Sequence, residues 1–281
     1  MTTTTTTTTT TAADATTAPA EYQPLARRAS AFHDFATIAS RSIRGIFREP
    51  EFFIPAFIVP VFFFAVNVGA LQDFAQQSGA VVDFKAFQLP VAIIFAVTGI
   101  SRASALVTDI QSGYFDRLLL TPIRRPMLLL GLMAADIVSI VMLTIPVLIL
   151  GLLLGVSFQT GILGMVVFIM YGAFWGLAFA GFPYAIALKT GNPAAVNSSF
   201  ILFLPFAFLT TSFLPKEALT GWLSTVATYN PVTYVLEGLR SLISDGWEWD
   251  VLARGMALTL ALMAFSFGLA SLAMRGRVRR G

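Results

Sequence analysis

Long stretches free of charged residues dominate this chain of 281 residues. A helix rises about 1.5 Å per residue, so roughly 20 consecutive apolar residues reach across the hydrocarbon core of a bilayer. Several stretches here attain that length. In lipid their backbone N–H and C=O groups have no water to bond, which leaves helices as the natural solution. Composition agrees: 56% of the residues are hydrophobic and 12% charged, against about 25% charged in soluble domains. The sequence therefore predicts an all-α integral membrane protein. Six spans are expected, at residues 52–71, 86–108, 126–155, 162–188, 194–214 and 255–274.

The residues that are missing narrow the chemistry. The chain has no cysteine, which excludes disulfides, thiolate metal sites and a cysteine nucleophile. His33 is the sole histidine, so a multi-histidine metal centre is excluded as well. The lysines are Lys85, Lys189 and Lys216, and none completes the glycine-rich loop that cradles a nucleotide phosphate. Any ATP used by this protein has to be bound by another polypeptide. A net charge of +3 is too small to suggest nucleic acid.

Residues 1–29 begin with a threonine run and carry too little apolar surface to offset the entropy of ordering; they read as a disordered cytoplasmic tail. Residues 30–49 have helical periodicity. Phe32, Phe35, Ile38, Ala39, Ile43, Ile46 and Phe47 share one broad face, and Asp34, Arg41, Arg44 and Arg48 fall in a narrow opposite sector. An apolar stripe opposed by arginines is the pattern of a helix lying in the membrane interface; a packed amphipathic helix is the alternative. Orientation follows from the basic residues near span ends. With both termini in the cytoplasm, that side holds Arg27, Arg28, Arg41, Arg44, Arg48, Arg117, Arg124, Arg125, Lys189, Arg275, Arg277, Arg279 and Arg280. The outer side then holds Lys85, Lys216, Arg240 and Arg254.

Two connectors are unusual. The inner loop, residues 109–126, predicts a short helix from Asp109 to Leu120, stopped before Pro122. Tyr114, Phe115 and Leu118 to Leu120 would form a costly exposed apolar patch without a partner. They lie either against the bilayer and neighbouring spans or against a docked cytoplasmic protein. The outer segment, residues 215–250, is half apolar and divided by Asn230-Pro231. Neither half can span alone, so two short helices dipping into the outer leaflet are expected, with Trp247 and Trp249 at the interface. Arg102 and Asp136 are the ionisable residues expected within spans, where a lone charge is costly. An ion pair between them and snorkelling of each to the inner surface are both open. Phe62, Phe63, Phe64, Phe174, Phe203, Phe206 and Phe208 are candidate path-lining aromatics, and lipid or helix contact is the better explanation for any one of them.

These features together resemble the permease subunit of an ABC exporter of the ABC-2 type, nearest to the drug-resistance (daunorubicin-type) permeases of actinobacteria. The resemblance spans residues 30–280. It rests on the amphipathic helix before the first span, on the loop Asp109…Ser112-Gly113…Asp116-Arg117-Leu118-Leu119…Pro122, and on Asn230-Pro231 followed by Glu237-Gly238-Leu239-Arg240. It implies a coupling role toward an ATPase for Asp109, Gly113, Tyr114, Phe115, Asp116, Arg117, Leu118 and Pro122. It implies a supporting role for the interfacial helix with Phe35, Arg41, Arg44 and Arg48, and a re-entrant outer segment containing Asn230, Pro231, Glu237, Gly238 and Arg240. The implied partners are a P-loop ATPase subunit that holds the ATP and Mg, membrane lipid, and a second permease copy. The implied place is the cell membrane, and the implied cargo is a drug-like or lipid-like amphiphile. A polysaccharide or glycolipid exporter is an alternative cargo class. A proton-coupled secondary transporter fits less well, because it needs a titratable relay at mid-membrane.

Overall fold

The computed structural model describes residues 30–46, 50–77, 83–121 and 125–278. The tail expected over residues 1–29 lies outside them, as do Arg48 and Pro122. Every regular element among the described residues is helical. Five helical stretches are long and apolar enough to cross a bilayer. They are Ala56–Asp73 within α2 (Pro50–Gln77), Phe84–Gln111 built from α3 (Phe84–Thr98) and α4 (Ala103–Gln111), Pro126–Leu153 of α6 (Arg125–Leu153), α7 (Gly161–Thr190) and α12 (Trp249–Val278). The protein is thus a multi-pass membrane protein. Between these lie α1 (Ala31–Ile46), α5 (Tyr114–Leu119), α8 (Pro193–Asn197), α9 (Phe203–Phe208), α10 (Gly221–Tyr229) and α11 (Pro231–Ser244).

The helix expected to cross at residues 194–214 is shorter than expected and is not among these five. Its apolar run is Pro193–Phe208, made of α8, a 3-10 turn at Ser198–Leu202 and α9. The Asn192 side chain starts α8 by accepting the Ala194 N–H at 2.9 Å. The run ends at Phe208, where Leu209 leaves helical geometry. Asn230, far along the chain, donates to the freed carbonyls of Phe206 and Leu209, at 2.7 Å each.

Helix α7 is the central pillar. Phe168, Tyr171, Trp175 and Tyr184 on it are buried, and it packs on α3, α4, α6, α11 and α12. Small residues make these approaches close. A Cβ at Gly176 would meet Ile140 of α6 at 2.5 Å, and one at Gly181 would meet the Ser266 backbone of α12 at 2.6 Å. Between membrane helices, where lipid is as apolar as the side chains, such close packing supplies much of the association energy. Two apolar cores result. One joins Leu89, Ile93 and Val97 to Trp175, Phe203 and Leu239. The other, at the end bearing the basic residues, joins Leu106, Val107, Ile110, Phe115, Leu128, Leu129 and Tyr184.

Candidate functional site

The second core is where α1 meets the inner connector. Helix α1 runs along α6, its Ile38 seated where a Cβ on Gly131 would come within 2.8 Å. Ile38, Ala39 and Ile46 are buried there, so much of the apolar stripe expected to face lipid faces protein instead. Asp34, expected in the exposed charged sector, is also buried. Phe35 is half-buried, and Arg41 and Arg44 are exposed as expected.

One turn beyond Ile38, Arg41 reaches the inner connector. Its Nη2 donates to Asp109 Oδ1 at 2.7 Å and its Nη1 to Asp109 Oδ2 at 3.0 Å. The same guanidinium lies 4.2 Å from the centre of the Tyr114 ring. A planar fork suits both contacts: it pairs two carboxylate oxygens and stacks on an aromatic face. Hydrogen bonding to Asp109 raises the Arg41 pKa above its ordinary value, so it stays charged. A groove of about 220 Å³ opens beside the contact, lined by His33, Asp34, Thr37, Tyr114 and Leu118 among others.

The inner connector differs from the single helix expected over Asp109 to Leu120. Asp109 lies in the last turn of α4, and the chain turns at Gly113, whose φ of 71° is left-handed and favours glycine. Helix α5 then starts afresh at Tyr114. The expected exposed patch is smaller too. Phe115 is 1% exposed and anchors α5 in the second core, with Leu118 and Leu119 packed partly against it. Tyr114, Asp116, Arg117 and Leu120 remain outward.

Arg102 and Asp136 do meet. The chain breaks between α3 and α4, and the Arg102 main-chain N–H donates to Asp136 Oδ1 at 2.7 Å. The Arg102 guanidinium lies against α1, its Nη2 3.2 Å from where a Cβ on Gly45 would stand. Trp175 steadies the other side of the break, its Nε1–H donating to Thr98 Oγ1 at 2.8 Å.

At the opposite end, α10 and α11 are two short helices that meet at Asn230-Pro231. Asn230 is buried and accepts the Val232 N–H at 3.0 Å, capping α11. Pro231 occupies the first turn of α11, where its missing N–H costs nothing. Gly238 is buried beside the Tyr171 hydroxyl. Arg240 donates to the Phe87 carbonyl and to Thr211, and stacks 3.5 Å over the Phe87 ring. Burial pushes its guanidinium down to about 9, against the opposing charge of Glu237, so it is still protonated at neutral pH.

Residues 33–244, three quarters of the chain, match the ABC-2 type transporter family. The chain belongs to that family. It is 26% identical over 232 residues to the daunorubicin resistance ABC transporter permease protein DrrB1 of Streptomyces coeruleorubidus, covering 80% of each chain. It is 24% identical over 157 residues to the probable doxorubicin resistance ABC transporter permease protein DrrC of Mycobacterium tuberculosis, covering 56% of this chain and 57% of that one. It is also 26% identical over 165 residues to the putative transport permease ycf38 of Cyanophora paradoxa, covering 56% of each.

Set within this ABC-2 chain, the match takes in α1, the inner connector and the Asn230 turn. Sequence reasoning singled out all three, and it missed their partners. Gly131, which receives Ile38 of α1, and Tyr184, in the core that roots the inner connector, each complete one of these arrangements, yet in sequence each looks like an ordinary span residue. Gly131 alone left a trace, as a glycine inside a run of leucines and methionines.

Proposed function

We propose that this ABC-2 chain is the membrane subunit of an ATP-driven exporter and docks a separate P-loop ATPase on its inner connector. That partner holds the ATP and Mg. Both termini lie in the cytoplasm, α1 rests at the inner interface, and the run Pro193–Phe208 completes a sixth crossing. The α10–α11 pair dips into the outer leaflet, and two copies of the chain enclose the path. The relatives named for daunorubicin and doxorubicin resistance support a drug-like amphiphile as cargo.

The observation that carries the reading is the build of α5. Phe115 roots it in the core shared by α4, α6, α7 and α12, while Tyr114, Asp116, Arg117 and Leu120 point outward. A push on the outward face is delivered directly to four helices. The exposed charges suit a polar rim contact, which sets register and encounter rate more than affinity. Co-purification with a P-loop ATPase, followed by transport assays on Asp116→Ala and Arg117→Ala, tests this. Both variants are expected to insert and fold normally while ATP hydrolysis and transport come apart. Normal coupling in both would remove α5 from the docking surface.

A further inference from the structure

Helices α7 and α12 end side by side at the basic end of the molecule, next to α5. Between them lies a groove of about 420 Å³, lined by Asp116, Leu188, Lys189, Leu272, Ala273, Gly276 and Arg277. Its walls have two characters. Leu188, Leu272 and Ala273 are apolar, and Leu272 is 62% exposed, open to the surroundings of a membrane-crossing helix. Lys189 and Arg277 supply positive charge at the rim.

Among the described residues neither cation has a carboxylate within ion-pair distance. Asp116, across the groove, is not paired with either of them. The Arg277 Nε–H is buried and has no acceptor among the described residues. The positive charge at the groove is therefore carried by the Lys189 ammonium and by the rest of the Arg277 guanidinium. The carbonyl ends of α7 and α12 offset part of the positive charge. Arg277 Nη1 lies 3.9 Å from where a Cβ on Gly191, the C-cap of α7, would stand. Asp116 opposes an anion, and two cations against one carboxylate leave the rim net positive.

We propose that this groove binds the phosphate headgroup of an anionic phospholipid. Lys189 and Arg277 hold the phosphate, and an acyl chain lies along Leu272 and Ala273. A basic rim above an apolar wall, at the ends of two membrane-crossing helices, is the arrangement that suits a lipid rather than a soluble anion. Because Asp116 on α5 shares the groove, an occupied site touches the segment assigned above to ATPase docking. Bilayer charge would then bear on coupling.

The full-length permease in proteoliposomes, without any ATPase, allows the lipid contact to be measured separately from coupling. The probe is spin-labelled phosphatidylglycerol compared with spin-labelled phosphatidylcholine, read as the motionally restricted fraction. The wild-type chain is expected to prefer phosphatidylglycerol. Lys189→Gln and Arg277→Gln should each lower that preference roughly 5-fold, the effect of one basic residue near an anionic headgroup. Lys189→Arg should retain it, which separates lost charge from misfolding. Arg275→Gln, exposed on the same turn of α12 but outside the groove, should leave it unchanged. An equal loss in Arg275→Gln would mean a diffuse basic belt and overturn the site. Displacement of the lipid by millimolar inorganic phosphate would reassign the groove to a soluble anion and overturn it too.

Discussion

Arg41 and Asp109, 68 positions apart, are joined by two parallel hydrogen bonds of 2.7 and 3.0 Å. With Tyr114 stacked beneath the same guanidinium, this contact ties α1 to both sides of the Gly113 turn. Arg41→Lys keeps the charge and loses the fork and the stacking plane. The Arg41 side chain is 46% exposed, so the loss in thermal stability should be small, about 1 kcal/mol or less. Transport should fall further than stability does, if α1 and α4–α5 move as one body. Melting curves and transport rates on the same preparation separate the two. Equal, proportionate losses would make the contact merely structural.

Asn230 makes three hydrogen bonds with one side chain. Its oxygen caps α11, and its amide nitrogen covers the carbonyls of Phe206 and Leu209, where the Pro193–Phe208 run ends. Asn230→Asp keeps the cap but turns two donated bonds into contacts between a carboxylate and two carbonyls. Asn230→Ala removes all three. With the site 5% exposed, each variant should lose roughly 2–4 kcal/mol, from buried groups left unsatisfied. Thermal unfolding in detergent measures this, and a wild-type melting point in Asn230→Asp would contradict the assigned amide orientation.

Asp136 presents a carboxylate oxygen to a main-chain N–H at the break between α3 and α4. Asparagine keeps that acceptor, and alanine does not. Asp136→Asn should therefore fold close to normally, while Asp136→Ala should be destabilised by a further 1–3 kcal/mol, the cost of an orphaned buried donor. Comparable yields and melting points for Asp136→Asn and Asp136→Ala would remove this role.

Gly181 allows α7 to lie against the backbone of Ser266 on α12. A larger side chain here meets main chain, which cannot rotate away. Gly181→Val should force the helices apart and cost about 1–3 kcal/mol or more. Gly276, where an added Cβ meets nothing within 4 Å, serves as the control: Gly276→Ala should be tolerated. Accessibility of cysteines introduced along α12, in a chain that has none of its own, reports the separation.

Much of the architecture was legible from residue order. The helices at residues 126–155 and 162–188 were expected almost where α6 and α7 stand, because an uninterrupted apolar run in lipid has one way to satisfy its backbone. The Asn230-Pro231 turn was legible for a different reason: proline fixes the first turn of a helix, and asparagine is a good cap. Harder to see was the fate of residues 194–214. Hydropathy scores the run as a span, but its length as a helix depends on where it breaks, and that is decided by Asn230 from another segment. The break in the second span is equally hidden, since nothing local to Thr98–Arg102 reveals the bonds that Trp175 and Asp136 make there.

Residue order alone was enough to establish a helical membrane protein and to mark α1, the inner connector and the Asn230 turn as its unusual parts. Those inferences rest on local properties: apolar length, periodicity, charge placement and proline geometry. Which side of a segment is buried could only be settled by its neighbours in space. Phe115 and Tyr114 are adjacent aromatics with the same local credentials, yet one anchors α5 and the other lies open beneath Arg41. Hydropathy adds up both faces of a helix. Packing chooses between them, and it does so through Leu128, Tyr184 and Arg41, which the chain brings together only when folded.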